Sequence, residues 1–114
     1  MLDEPRIKEA RNNVKNYLEE GLLRKVTLKE EEVKKILLNN SRESLKVADT
    51  IFGMNLSSLW VIVSSYYAMF YVTSAVLYGL GYKIEHKIPH KIAADSLIVF
   101  VRSKLKDVLI EEYE

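Results

Sequence analysis

Residues 51–82 read IFGMNLSSLWVIVSSYYAMFYVTSAVLYGLGY, and no charged residue occurs between Asp49 and Lys83 in a chain that is 29% charged. A stretch this apolar either crosses a membrane or forms a wall that other helices pack against. Ser57, Ser58, Ser64, Ser65, Thr73 and Ser74 interrupt it, as do tyrosines 66, 67 and 71. The flanking segments are amphipathic and need an apolar partner in water. The reading is therefore a central helix of a soluble protein, over about residues 58 to 80, and not a membrane span. Ser57 or Ser58 caps its start, and Gly81 suits the position after its end. Small residues at Ser64, Ala68 and Ala75 allow a second helix to approach closely. One side of this helix stays uncovered in a small monomer, and homodimerisation is expected to bury it.

At 114 residues the chain is long enough for one small domain, residues 1–114, with a single core. Its net charge of +1 provides no strong overall field for nucleic acid, so any such binding needs a local patch. There are no cysteines, which excludes a disulfide scaffold and cysteine-ligated metal, and fits a reducing cytoplasm. The N-terminus is charged from residue 3 and has no signal-peptide core. Four glycines and two prolines leave little punctuation for an all-β fold.

Upstream, Pro5 opens a first helix with Ile7, Ala10, Val14, Tyr17, Leu18 and Leu22 on one face and Arg24 and Lys25 in its last turn. Thr27 to Glu30 reads as a capping box for a second helix. That helix carries Val33, Ile36, Leu37, Leu45, Ala48, Ile51 and Phe52 on a shared face, and Gly53 and Asn55 end it. Asn39-Asn40-Ser41 is a poor helix former and a place for a kink or break. Downstream, residues 82–90 read as a loop and Pro89 restarts a fourth helix, with Ile92, Leu97, Ile98, Val101, Leu105, Val108 and Leu109 at helical spacing. The acidic tail containing Tyr113 stops while still helical in character, as if the fold were longer than the chain. The fold class is all-α: an antiparallel up-and-down four-helix bundle that dimerises through its central helices.

Few residues carry chemistry. His86 and His90 are four apart, but Pro89 lies between them and Glu85 is the nearest further ligand, so no metal site is expected. Lys83, His86, Lys87, His90 and Lys91 concentrate cationic and protonatable groups where the fourth helix begins, and a helix N-terminus favours an anion such as phosphate. Tyr66, Tyr67 and Tyr71 have the flat faces on which bases stack, although tyrosines at helical spacing more often belong to a core. Asp95, alone between Ala94 and Ser96, does not make a site. No cofactor is expected.

The sequence Ser65-Tyr66-Tyr67-Ala68-Met69-Phe70, followed by Leu77, Gly79 to Gly81 and His86, resembles the HEPN domain (higher eukaryotes and prokaryotes nucleotide-binding) in its small stand-alone prokaryotic form. The resemblance implies a four- or five-helix up-and-down bundle, a homodimer, and a further C-terminal helix beyond Glu114. It also implies a minimal nucleotidyltransferase as partner in a toxin–antitoxin pair, the HEPN member acting as a metal-independent ribonuclease. The ribonuclease motif of the family is Arg-x(4–6)-His on this helix. In this chain its positions hold Ser64 (or Ser65) and Tyr71. Serine supplies no cation for a developing phosphorane charge, and tyrosine titrates near 10 rather than near neutrality.

The expected function is thus a HEPN-type helical module that binds a nucleotide, RNA or a protein partner, cytoplasmic and without the usual nuclease motif. Two alternatives stand beside it. One is a ribonuclease toxin with a non-standard site of Tyr66, Tyr67, Tyr71, His86 and the lysine loop. The other is a non-catalytic helical scaffold.

Overall fold

The computed structural model describes residues 3–85 and 87–104. The chain is mainly helical: α1 (Glu4–Glu20), β1 (Leu23–Lys25), α2 (Glu31–Gly53), α3 (Ser58–Gly79), β2 (Tyr82–Ile84) and α4 (Pro89–Phe100). These elements group into two compact units. One contains α1, the two short strands and α4; the other, residues 26–81, contains α2 and α3.

In the first unit, Asp3 caps α1 by accepting from the Arg6 amide at 2.9 Å, and Pro5 lies in the first turn. The helix ends earlier than its apolar spacing suggests. Gly21 turns left-handed at φ 75°, where a residue without Cβ is favoured, and its N–H and that of Leu22 both return to the Tyr17 carbonyl. Arg24 and Lys25 are therefore in β1, not in a helical turn. β1 pairs antiparallel with β2 in the register Leu23–Ile84, Arg24–Lys83 and Lys25–Tyr82. The segment expected as a loop from Tyr82 thus starts as a strand. Arg24 and Lys83 oppose like charges across the ribbon, which is unfavourable, and Arg24 instead forms an ion pair with Glu85. Val14, Tyr17, Leu23 and Ile92 form the buried cluster, with Tyr82 stacked on Phe100 at 4.1 Å beside it. Pro89 opens α4 as expected. Leu105, Val108, Leu109 and Tyr113 lie outside the described residues.

Asp95, dismissed on sequence, is fully buried and joins α4 to α1. Its Oδ2 accepts from the Tyr17 hydroxyl at 2.6 Å and from the Asn13 amide at 3.2 Å, and its Oδ1 faces the Arg6 guanidinium at 2.8 Å. A buried carboxylate needs this many partners to offset its lost hydration. The hydrogen bond to Asp95 raises the Arg6 pKa against the opposing effect of desolvation. Burial, then the bond to Asp95, raises that of Tyr17 well above its usual 10.0.

In the second unit, α2 and α3 form a helical hairpin. The expected capping box is absent: α2 starts at Glu31, after Glu30 as N-cap, and no side chain caps it. Tertiary bonds claim those residues instead. The Lys29 ammonium donates to the Gly79 carbonyl at 2.7 Å, and the Glu30 N–H donates to the Tyr78 hydroxyl at 2.8 Å. No break occurs at Asn39-Asn40-Ser41; α2 runs through it, and the Ser41 hydroxyl donates to the Ala68 carbonyl of α3 at 2.7 Å. A net contribution of about 1 kcal/mol from that bond offsets the poor local propensity. α2 ends at Gly53, and Asn55 is left-handed at φ 51°. Ser57 then caps α3 by accepting from the Trp60 amide at 3.3 Å.

The hairpin corrects the reading of both apolar faces. Of the α2 face only Ala48 is buried, while Ile36, Leu45 and Phe52 are exposed. α3 buries Ala68, Ala75, Leu77 and Tyr78, and leaves most of its apolar side chains open. A single neighbouring helix covers one stripe of a cylinder, not its circumference.

Replacing Asp95 with Ala is expected to cost about 3 kcal/mol in urea denaturation, because it strands two hydrogen-bond donors and a guanidinium. Arg6→Met should cost a similar amount, roughly 3 kcal/mol, because it takes the guanidinium away from a fully buried carboxylate. For Tyr17→Phe about 2 kcal/mol is expected. Tyr17 binds its proton more tightly folded than unfolded, so its contribution is complete below about pH 10 and falls as the pH rises beyond. The alkaline loss of stability should therefore be shallower in Tyr17→Phe.

Candidate functional site

The helical period places tyrosines 67 and 71 on one flank of α3, together with Trp60, Val63 and Ser64. Facing them across a groove of about 470 Å³ are Asn40, Glu43, Ser44 and Val47 of α2. Ser41, one residue along from Asn40, ties the two helices together beneath the groove through the Ala68 carbonyl. The rings form a continuous series: Tyr66 meets Tyr67 edge to face at 6.2 Å, Tyr67 is tilted against Tyr71 at 6.2 Å, and Tyr71 touches Phe70 at 5.7 Å. Trp60 at the rim is 57% exposed.

The structure brings some of the sequence candidates together. Ser64, Tyr67 and Tyr71 share the groove, and Tyr66 contacts it through Tyr67. Lys83 on β2, Lys87, and His90 and Lys91 at the start of α4 belong to the other compact unit. His86 lies outside the described residues. At the start of α4, Ile88 occupies the cap position at φ 44°, without a side-chain hydrogen bond, and Pro89 removes one amide. A β-branched residue in the left-handed region is strained.

Sequence reasoning missed the α2 wall. Glu43 and Asn40 lie among polar residues at helical positions, with no local signal that separates a groove wall from solvated surface. Only the small residues of α3, which mark where another helix comes close, could have indicated that α2 lies there. The missed wall alters the chemistry of the site, because among the described residues the single charge lining the groove is the Glu43 carboxylate. A phosphate seeks cations and oriented N–H groups. Tyrosine faces beside a carboxylate suit a cation. Ser64 and Tyr71 stand in this groove as hydroxyl groups.

Compared with protein-family models, with curated proteins and with solved structures, the chain matches none.

Adenosine monophosphate at millimolar concentration is expected to leave Trp60 emission unchanged, since among the described residues the groove has one negative and no positive side chain. A saturable change would restore the nucleotide reading of the tyrosines.

Proposed function

We propose that this chain is a HEPN-type helical interaction module, dimerising through α3 and acting by protein binding rather than RNA cleavage. The observation that carries this reading is a heptad stripe on α3. Leu59, Ile62, Tyr66, Met69, Thr73, Val76 and Leu80 follow one another at steps of three and four. All but the half-buried Thr73 are exposed. That spacing is the seam of a left-handed helix pair, and it faces away from Ala68 and Ala75. Side chains of this size, half exposed, offer on the order of 600 Å² together, most of the roughly 800 Å² that each partner buries in a standard interface. The uncharged face can meet its own copy across a two-fold axis without like-charge repulsion.

The same helix is long and apolar enough to cross a membrane. α2, packed along it, argues for water instead. Arg42, Glu43, Lys46 and Asp49 ride on α2, and each would cost about 3 kcal/mol at the bilayer centre. The finer architecture, an antiparallel four-helix bundle in a cytoplasmic homodimer, belongs with this proposal. So does a minimal nucleotidyltransferase as the other partner. Ser64 and Tyr71 at the motif positions favour binding over catalysis.

Sedimentation at micromolar concentration should give twice 13.2 kDa, and Met69→Lys should give the monomer with unchanged helicity. A wild-type monomer, or co-flotation with lipid vesicles, would overturn the seam. Mixed RNA in EDTA should remain intact; cleavage that disappears in Tyr71→Phe would establish the nuclease instead.

A further inference from the structure

The groove between α2 and α3 is a different face of α3 from the heptad stripe, and it holds a chemical combination that the dimer seam does not use. Glu43 is exposed and, among the described residues, forms no ion pair. Lys46, one turn along the same helix, lines the adjoining hollow together with Glu43 itself, Val47, Thr50 and Ile51, and does not line the groove. Trp60, Tyr67 and Tyr71 offer aromatic surface opposite the carboxylate, and Asn40 adds an amide that can accept.

We propose that this groove receives the guanidinium of an arginine carried on an amphipathic helix of a partner protein. A planar guanidinium stacks on aromatic faces and pairs with a carboxylate at the same time, which a lysine ammonium does less well. From Trp60 to Tyr71 the groove follows α3 for roughly 16 Å, about three helical turns, a length suited to a helix laid in a groove. Apolar residues of the partner cover Val47, and its arginine lies between Tyr67 and Glu43. The proposal deepens the interaction-module reading by naming the chemistry of the partner. It does not depend on the seam, because no residue of the stripe lines the groove; Tyr66 reaches it only through its contact with Tyr67.

The test uses the full chain and two helical peptides, one with a single arginine flanked by apolar residues and a twin with citrulline in its place. Trp60 is the only tryptophan, so its fluorescence reports on the groove rim directly. The arginine peptide should give a saturable, salt-sensitive shift, and the citrulline peptide should bind about tenfold more weakly or worse. Glu43→Gln, a change at an exposed position, should weaken the arginine peptide about fivefold and remove its advantage over citrulline. Tyr67→Leu should weaken it while far-UV circular dichroism stays unchanged; if that variant does not fold, Glu43→Gln carries the test. Equal affinity for the two peptides, indifference to Glu43→Gln, or no saturable response at millimolar peptide would each overturn the proposal. Sedimentation of Glu43→Gln should match the wild type, so loss of the arginine site is distinguishable from loss of the dimer.

Discussion

A helix apolar around its whole circumference needs cover on every side, and α2 supplies it on one. Most of the functional reading depends on that imbalance. Toward α2, small side chains at Ala68 and Ala75 are buried, and the Ser41 hydroxyl meets a main-chain carbonyl. A helix can make that contact only where its neighbour presents small residues. The opposite side carries large side chains that contribute nothing to this hairpin. Exposing them is unfavourable by about 25 cal/mol for each Å² that could be buried. The steps of three and four on this side are those of a coiled-coil seam.

The unit built from α1 and α4 solves a different problem with a different kind of bond. Its buried cluster is small: Val14, Tyr17, Leu23 and Ile92. At its edge Asp95 draws donors from three positions along α1, namely Arg6, Asn13 and Tyr17. Three partners spaced along one helix fix the rotation and the sliding of α4 against it. Apolar contacts alone would specify both less sharply. A hydrophobic residue at 95 could give equal stability and still leave the pairing of the two helices less defined.

What the sequence could reveal follows the range of the physics. Ser57 before α3, Asn55 after α2 and Pro89 at α4 act within one turn, and each stands where its local chemistry implies. Thr27 and Glu30 carried an equally good local signal, and it was overruled. Lys29 and Glu30 bond to the far end of α3, some fifty residues away, and those bonds hold the chain out of a capping geometry. Gly21 lies within the apolar spacing read for α1, and its left-handed turn leads into a strand that pairs with the distant β2. The candidate site divides in the same way. Ser64, Tyr67 and Tyr71 share a face because a helix has 3.6 residues per turn, which spacing alone reveals. Glu43 joined them only through tertiary packing, and it reversed the sign of the ligand the tyrosines suit.

The three faces of α3 therefore divide their tasks by residue type. Small residues sit where a helix of the same chain must come close. Leu59, Ile62, Met69, Val76 and Leu80, with Tyr66 and Thr73 among them, form an uncharged surface at heptad steps. Aromatic and hydroxyl groups occupy the flank that α2 completes with a carboxylate. A nuclease on this helix would need that last flank to hold a fixed cation and a group that exchanges protons near neutrality. Serine and tyrosine at positions 64 and 71 offer neither, and Glu43 beside them attracts the charge opposite to phosphate. The same geometry that weakens the case for cutting RNA strengthens the case for recognising a cationic side chain, because both turn on one groove and the sign of one charge.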